Sequence, residues 1–339
     1  MKLFIAALLS VVCFNVSVVA QKADSIKLLI DSALNVMEHH SVHSSQINWK
    51  ELRDSVSMMA KDASTTAEAA PAIKYAFNRL TDKHGWLVLN DTDYRNPAFK
   101  PDTARVNNDM KSAASKGGKV YVGQVAKDYA YISVPWFGGQ TLDKCNAFAQ
   151  KLQDSLCKVV TPATKGFIID LRLNMGGNTF PMVVGLSNVF GNQSPAKTGY
   201  AGDWKIKDYS LQMNDTFIIR LSKNCGDYSK YPVAIIIGPQ TASAGEYLAL
   251  GFTARPNTIL VGERTAGYTS GNNGFYLPGK NNAIVIAEDY AKGKDGKVYE
   301  NGIFPQVEVV GGDDFFNREK DLKILAAVKW LRKQKVRKG

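Results

Sequence analysis

Residues 233–246 have the sequence VAIIIGPQTASAGE, and this stretch is the most informative part of the chain. Its first five residues, Val233–Ile237, are apolar and largely β-branched, which is typical of a buried strand. The small residues that follow allow a sharp turn into a helix, so Ser243 is predicted at a helix N-terminus, where free N–H groups stabilise negative charge. Acyl-transfer enzymes hold a nucleophile in this way. A structural interpretation also fits, because Ser243 and Glu246 have the spacing of a capping box.

The composition is that of a packed globular protein, with 339 residues of which 45% are hydrophobic and 22% charged. The formal net charge is +11. An excess of basic residues can indicate nucleic-acid binding. Here the basic residues are spread along the chain and the N-terminus indicates export, so we expect no nucleic-acid partner. The one dense basic run, Lys329–Lys338, is predicted to be a solvated helix face. Peripheral contact with an anionic cell-envelope surface is the second interpretation.

Residues 1–20 have the pattern of a secretory signal peptide. Lys2 provides the basic start, Leu3–Val12 the apolar centre, and Ala20 the small residue at the predicted cleavage site. Cys13 raises the alternative of a lipoprotein anchor, which ranks second because the residues before it lack the small residue favoured there. No later stretch approaches the length of a transmembrane helix. The mature chain is therefore expected to be exported and soluble, in the bacterial periplasm or outside the cell.

Three cysteines, Cys145, Cys157 and Cys225, lie in the predicted mature chain. This odd number allows at most one disulfide and leaves a free thiol. Cys145 and Cys157 are predicted on one helix and roughly three turns apart, which is too far for a disulfide between them. No pair has zinc-site spacing. Neither a metal nor a cofactor is predicted.

The first third of the chain is predicted to form a small helical bundle followed by a loop. Residues 21–84 contain three amphipathic patterns: one over residues 26–37, one that begins at the N-cap Asn48, and one that opens at Pro71. Short amphipathic helices in succession indicate a bundle. Residues 85–118 are polar and are predicted to be a strand, Trp86–Leu89, and then a long excursion loop.

From Lys119 to the C-terminus, strands and helices alternate, which predicts an α/β domain with a partly parallel sheet over residues 119–339. The predicted strands are Val120–Val125, Tyr129–Val134, Phe167–Leu171, Thr216–Leu221, Val233–Ile237, Thr258–Val261 and Ala283–Ala287. The predicted helices are Leu142–Leu156, Phe180–Val189, Ser243–Phe252 and a C-terminal helix that carries Leu322, Leu325, Val328 and Leu331.

A second strand–loop–helix unit contains the glycines Gly176 and Gly177. Loops after parallel strands emerge at the same edge of the sheet, where sites are built. Glycines let the backbone approach a ligand and direct N–H groups towards it. Together with the N–H of Ala244, that of Gly176 or Gly177 would form an oxyanion hole. The structural alternative is a tight turn before a helix. The spacing excludes a P-loop and argues against a dinucleotide site.

A serine nucleophile needs a base, and the chain contains only four histidines. His39, His40 and His43 have a spacing that metal ligands can have, but an exposed polar cluster is the favoured interpretation. His84 lies where a predicted helix meets a strand. It is either the general base or a helix C-terminal cap that interacts with the helix dipole.

Five short motifs occur in one order: Leu-x-Asp-x-His at 80–84, Ile-Ile-Asp-Leu-Arg-x-Asn-x-Gly-Gly at 168–177, Thr-Ala-Ser-Ala-Gly-Glu at 241–246, Gly-Glu-x-Thr-Ala-Gly at 262–267 and Glu-Asn-Gly-Ile-x-Pro at 300–305. This set resembles the tail-specific (C-terminal-processing) serine peptidase family. The resemblance implies a crotonase/ClpP-like ββα-spiral core, here preceded by the small helical bundle. It also implies a hydrolase that acts on peptides or unfolded protein segments.

Within that family, the chain resembles the branch of the tricorn protease core and the interphotoreceptor retinoid-binding protein repeats. The other branch uses a lysine after Gly-x-x-Thr-x-Gly, where this chain has Tyr268, and it carries a PDZ domain, for which residues 85–118 are too few. The resemblance implies that Ser243 is the nucleophile, His84 its general base and Glu300 the acid that orients the base. A structural alternative for Glu300 is a surface residue before a turn.

One departure concerns Lys83, which stands where this branch has an assisting serine. The function predicted is that of an exported serine-type peptidase with a Ser-His-Glu constellation. The alternative is a catalytically impaired protein that binds peptides or small ligands on the same fold.

Overall fold

The structure is a computed structural model that describes residues 24–192, 204–213, 216–293 and 295–337. The predicted signal peptide lies outside the described residues. The chain divides into two compact units. Unit 1 consists of Met1–Lys100 and Gly271–Asp289, and unit 2 consists of Pro101–Ser270 and Tyr290–Gly339.

The described residues form helices and strands in the following order along the chain: α1 (24–40), α2 (Trp49–Met59), α3 (Thr66–Arg79), β1 (Trp86–Leu89), β2 (Thr92–Tyr94), α4 (Asn108–Ser115), β3 (Val122–Val125), β4 (Tyr129–Ser133), α5 (Leu142–Val159), β5 (Gly166–Asp170), α6 (Thr179–Gly185), α7 (Ser187–Phe190), β6 (Trp204–Lys207), β7 (Ser210–Met213), β8 (Thr216–Arg220), β9 (Val233–Ile237), α8 (Ala244–Thr253), β10 (Thr258–Gly262), β11 (Ser270–Tyr276), β12 (Ala283–Lys292), β13 (Val298–Tyr299), β14 (Val307–Glu308) and α9 (Leu322–Leu331). Short 3-10 turns lie at Ser44–Gln46 and Thr103–Arg105.

Unit 1 combines the predicted helices with an antiparallel sheet of order β11-β12-β1-β2. Strand β1 pairs with β12 in the register Leu87↔Ile284. Leu87 and Ile284 are fully buried in a cluster that includes Phe77 of α3 and Leu29 of α1. The apolar faces of the helices therefore share one core with a sheet, to which a distant part of the sequence contributes.

Unit 2 is built on a six-stranded sheet of order β14-β10-β9-β5-β4-β3. All neighbours pair in parallel except β3 and β4, which are antiparallel. Every residue of β5 and of β9 is buried. Successive side chains of a strand point to opposite faces; accordingly Ile235 packs in one core cluster and Ile236 in another. Because β5 and β9 are parallel neighbours, the loops after them leave the sheet at one edge.

The structure confirms the mixed α/β class and most predicted elements of unit 2, and it corrects others. Helix α3 begins at Thr66 rather than at Pro71, because Thr65 and Glu68 form a capping box before it. The predicted loop over residues 85–118 contains β2 and α4. The predicted helix Phe180–Val189 is two helices, α6 and α7. Several short strands were not predicted: β2, β6, β7, β11, β13 and β14.

Cys157 and Cys225 form a disulfide, and the thiol of Cys145 is free and buried. This agrees with the prediction that at most one disulfide forms and that one thiol stays free, and with the exclusion of a Cys145–Cys157 pair. Over the described ranges, the structure contains no helix with the length and apolar character needed to cross a membrane.

Candidate active site

Ser243 lies at the junction of β9 and α8 and is the N-cap of α8. Its backbone has φ 50° and ψ −116°, a region that residues with a side chain rarely occupy. The turn is possible only because its neighbours are small: a Cβ atom on Gly245 would lie 2.6 Å from the carbonyl oxygen of Asn174. The half-buried Ser243 is thus held in a strained strand-to-helix turn at the edge of the sheet.

Glu246 is fully buried beneath this turn. Its carboxylate accepts hydrogen bonds from the N–H of Ser243 at 2.9 Å, from the N–H of Gly267 at 2.9 Å and from the hydroxyl of Thr265. Burial raises the pKa of Glu246 above its ordinary value, and these donors oppose the rise. The capping-box spacing indicated the contact with Ser243, but it did not indicate that the same carboxylate binds the loop after β10.

Thr265 extends this network to the loop that carries Glu300. The Oγ1 atom of Thr265 accepts a hydrogen bond from the N–H of Ile303 at 2.8 Å, and the N–H of Thr265 donates to the carbonyl of Ile303 at 3.1 Å. Glu300 itself is exposed and follows directly after β13. The 262–267 and 300–305 motifs are therefore adjacent in space, and both are linked to Ser243 through Glu246.

The glycine loop after β5 contacts the serine turn directly. A Cβ atom on Gly176 would lie 2.8 Å from the Cβ of Ser243. Asn174 holds the two loops together, because its carbonyl accepts the N–H of Ala242 at 2.9 Å. Its Oδ1 accepts the N–H of Gly176 at 3.0 Å. The structure thus brings together Gly176 and Ser243, which lie far apart in the sequence.

Gly177 faces the segment after β4. A bridge joins Gly177 to Phe137, in which the N–H of Phe137 donates to the carbonyl of Gly176 at 3.2 Å and the N–H of Asn178 donates to the carbonyl of Phe137 at 2.7 Å. A side chain at Gly177 would overlap that carbonyl, and its φ of 101° is itself unfavourable for other residues. Glycine is therefore required here for close approach of two backbones.

The backbone N–H groups near Ser243 differ in availability. That of Gly176 is bonded to Asn174, as described above. Within the ranges that the structure describes, the N–H groups of Gly177 and Ala244 donate to no acceptor. An unpaired N–H at the first turn of a helix favours negative charge.

A buried ionic network lies behind the glycine loop. Arg172 is fully buried, and its guanidinium contacts the carboxylates of Asp170, Asp313 and Asp321 at 2.6, 2.7 and 2.6 Å. Burial alone would raise the pKa of Asp170, but the charge of Arg172 and its hydrogen bonds hold it below its ordinary value. Lys323 also contacts Asp313, at 2.7 Å. The network anchors Arg172, which directly precedes Leu173–Asn174, to a segment near the C-terminus, and no local pattern in the sequence indicated it.

His84 belongs to unit 1, where its backbone is held firmly. Its N–H donates to Oδ1 of Asp82 at 2.8 Å, and its carbonyl accepts from Nδ2 of Asn272 at 3.1 Å. The buried Asp82 also accepts the N–H groups of Gly85 at 2.8 Å and Ala287 at 2.9 Å. The Asp of Leu-x-Asp-x-His therefore shapes the turn around His84. Lys83 and His84 are both half-buried.

The other histidines form contacts of unit 1. Nδ1 of His40 lies 2.8 Å from Oε1 of Glu288, and Nδ1 of His39 lies 2.9 Å from the carbonyl of Asn35. In the part of the chain that the structure describes, no group of His, Cys, Asp or Glu side chains could hold a metal ion.

A strained serine at a strand-to-helix turn of a parallel sheet is an arrangement known from α/β serine hydrolases. The sequence pattern of Peptidase family S41 matches residues 128–309, which is more than half of the chain. The chain belongs to this family. The match includes the glycine loop, Ser243 and Glu300.

Known proteins with similar sequence and structure agree with this assignment. Over 306 residues the chain is 24% identical to the nisin-resistance protein of Lactococcus lactis subsp. lactis, with 89% of this chain and 86% of that protein covered. A lipoprotein from Streptococcus agalactiae superposes with a TM-score of 0.65 at 20% identity, over 92% of this chain and 96% of the other. The photosystem II D1 C-terminal processing protease superposes with a TM-score of 0.56 at 13% identity, over 84% and 93% of the two chains. These likenesses show a peptidase-like fold.

Proposed function

We propose that this protein is a serine peptidase in which Ser243 is the nucleophile. The observation that carries the proposal is the strained turn at Ser243, with φ 50°, beside a glycine loop and two N–H groups that have no acceptor among the described residues. Strained backbone of this kind costs about 1–3 kcal/mol and persists where function requires it. A helix cap alone needs no such strain, because ordinary N-cap residues have extended backbone.

In the proposed mechanism, His84 takes the proton of the Ser243 hydroxyl as Oγ attacks the carbonyl carbon of a peptide bond. The imidazole then gives this proton to the leaving amine, and water releases the acyl group in a second, similar step. Glu300 stabilises the imidazolium that forms. The roles of His84 and Glu300 are supported by the motifs in which they occur, Leu-x-Asp-x-His at 80–84 and Glu-Asn-Gly-Ile-x-Pro at 300–305. Lys83, in place of the assisting serine, leaves the proton transfer to His84 and Glu300.

The developing oxyanion would be held by backbone donors. The N–H groups of Ala244 and Gly177 can donate to the oxyanion without rearrangement, since neither has an acceptor among the described residues. The N–H of Gly176 would first have to leave Oδ1 of Asn174. We therefore propose Ala244 and Gly177 as the donors, with Gly176 as the alternative. Loss of one such donor typically costs about 3–4 kcal/mol of transition-state stabilisation.

The proposed substrate is a peptide or an unfolded protein segment, and the proposed location is outside the cytoplasm or at the cell envelope. Membership of a peptidase family supports the first. The predicted signal peptide supports the location, as does the similarity of the chain to a lipoprotein and to a nisin-resistance protein. Nisin is therefore one peptide to include in a substrate panel. The basic run at the C-terminal end remains a candidate for peripheral contact with an anionic surface.

The alternative function is binding without catalysis on the same fold. Two observations favour it: a lysine, Lys83, stands at the position of the assisting serine, and Glu300 is exposed. A function in binding alone would not account for the strained backbone of Ser243.

Labelling with a fluorophosphonate probe tests the proposal. The mature protein should be labelled, Ser243→Ala should not be labelled, and the matched control Ser112→Ala, a change at an exposed serine of α4, should be labelled like the wild type. Casein and a panel of peptides should likewise be cleaved by the wild type and by Ser112→Ala but not by Ser243→Ala. Equal labelling of the wild type and Ser243→Ala would overturn the assignment of the nucleophile.

Two further variants separate the roles of the histidine and the glutamate. His84→Gln should reduce labelling strongly, because the hydroxyl loses its proton acceptor, whereas Glu300→Gln should reduce it less. If both variants are labelled and cleave casein like the wild type, the proposed roles of His84 as base and Glu300 as supporting acid are wrong. The assignment of Ser243 as the nucleophile is tested separately by Ser243→Ala.

A further inference from the structure

A pocket in unit 2 lies at the ends of β4 and β5, next to the glycine loop. It has a volume of about 120 Å³, and its walls include Tyr131, Pro135, Leu173 and Phe316. A cavity of about 150 Å³ is known to hold a benzene molecule; this pocket is somewhat smaller, and its size suits a short aliphatic group. Asn174 links the pocket to the loop, because its Nδ2 donates to the carbonyl of Pro135 at 3.3 Å.

The hydroxyl groups of Tyr131 and Ser133, which line the pocket, already have hydrogen-bond partners within the protein. The hydroxyl of Tyr131 donates to Oδ2 of Asp170 at 2.8 Å, and Asp170 is paired with Arg172. The hydroxyl of Ser133 donates to the carbonyl of Lys119 at 3.1 Å and accepts the N–H of Tyr121. A ligand group inside would meet chiefly aromatic and aliphatic surface.

The pocket also has a basic rim, formed by Lys116, Lys119 and Arg318. The Nζ of Lys116 lies 3.8 Å from the centre of the Phe316 ring, and the guanidinium of Arg318 lies 4.5 Å from the centre of the Tyr131 ring. Across the described ranges, none of these three cations forms an ion pair with a carboxylate. The rim therefore carries positive charge that no ion pair with a described carboxylate neutralises.

Phe315 and Phe316 form an aromatic wall of the pocket, and hydrogen bonds within the turn that begins at Asp314 hold its backbone. Oδ1 of Asp314 accepts the N–H of Phe316 at 3.1 Å and that of Asn317 at 2.7 Å. The guanidinium of the buried Arg172 lies 4.4 Å from the centre of the Phe315 ring. Phe316 is 61% exposed, and its backbone is tied into this turn by the hydrogen bond to Asp314.

From this combination we infer that the pocket binds an apolar carboxylate, with the apolar group inside and the carboxylate at Lys116 and Arg318. Charge-assisted hydrogen bonds from lysine and arginine are the usual partners of a carboxylate. The same chemistry is offered by a free small carboxylic acid and by the C-terminal residue of a peptide. An uncharged ligand would leave the rim unpaired.

Calorimetric titration in the Ser243→Ala background tests the inference independently of catalysis. The probes are hexanoate with its neutral match hexanamide, and acetyl-Ala-Leu with a free C-terminus with its C-terminal amide. We expect at least one carboxylate to bind about tenfold more tightly than its amide, the size of one charge-assisted hydrogen bond. Binding of hexanoate indicates a free acid as ligand, and binding of the peptide acid alone indicates a peptide C-terminus.

Variants complete the test. Lys116→Gln combined with Arg318→Gln should remove the preference for the carboxylate, and Phe316→Ala should weaken binding of both members of a pair. Lys144→Gln, a change at an exposed lysine of α5 outside the pocket, should leave the affinities unchanged. The inference is overturned if no probe binds, if acid and amide bind equally, or if the double variant retains the preference while its Tm matches that of the wild type.

Discussion

The carboxylate of Glu246 accepts the backbone N–H of Ser243 at 2.9 Å and thereby ties the serine turn to the first turn of α8. The same carboxylate binds Thr265 and Gly267, which belong to the loop after β10. One buried acid therefore positions the proposed nucleophile and the loop beside it. This relationship makes Glu246 a positioning residue whose loss should be visible in stability as well as in labelling.

Glu246→Gln should destabilise the protein by about 1–3 kcal/mol. Three donors converge on the carboxylate, whereas glutamine offers a single acceptor oxygen and places an NH₂ group against at least one N–H. Calorimetric unfolding should show a lower Tm, and fluorophosphonate labelling should be slower. Glu319→Gln, at an exposed position, is the matched control and should behave like the wild type. A Tm for Glu246→Gln equal to that of the control would show that the three contacts are not all made.

Ser243→Gly should be more stable than Ser243→Ala by about 1 kcal/mol. Both changes remove the hydroxyl, but only glycine adopts φ 50° and ψ −116° without strain. Part of the gain is offset because glycine has more freedom in the unfolded chain. The Tm values of the two variants, measured side by side, give the comparison. A higher Tm for the alanine variant would mean that Ser243 is not strained.

Gly177→Ala should destabilise the protein more than Gly117→Ala. Both glycines have positive φ, 101° and 77°, so both changes introduce backbone strain of about 1 kcal/mol. Only at Gly177 does the new side chain meet backbone, that of Phe137, while the space around Gly117 is open. The difference between the two Tm values isolates the steric clash. Equal losses would contradict the close approach of the 137 and 177 segments.

Asp170→Asn should cost about 3–5 kcal/mol at neutral pH, because it leaves the buried Arg172 with one carboxylate fewer. The pKa of Asp170 is lowered in the folded protein, so its stabilising contribution is present above the unfolded value of about 3.9 and is lost as the pH falls through the folded value. The cost of the substitution should therefore shrink below about pH 4.

The control for this prediction is Asp128→Asn, which breaks the more exposed pair with Lys165. Such pairs contribute less than about 1 kcal/mol. Thermal unfolding at pH 7 and at acid pH compares the variants. A cost for Asp170→Asn that is small, or that stays constant with pH, would show that the Arg172 network does not depend on this charge.

Much of unit 2 could be predicted from the sequence because its signals are local. Strand β9 was predicted with its observed bounds, since five apolar and largely β-branched residues before a Gly-Pro turn are typical of a buried strand. The position of Ser243 at a helix N-terminus followed from the small residues around it. Strands such as β6 and β13 were missed because short strands depend on their partners rather than on their own pattern.

The sequence by itself determined the α/β class, the family resemblance through five ordered motifs, and the serine at the start of α8. The tertiary structure was needed to show which groups surround that serine: Gly176 against its Cβ, Glu246 on its N–H, and an N–H of Gly177 that has no acceptor among the residues the structure describes. It also decided that Arg172, with three buried aspartates, anchors the glycine loop. Periodicity and motifs report interactions between residues close in sequence, whereas these contacts join segments tens of residues apart, and only the completed sheet brings them together.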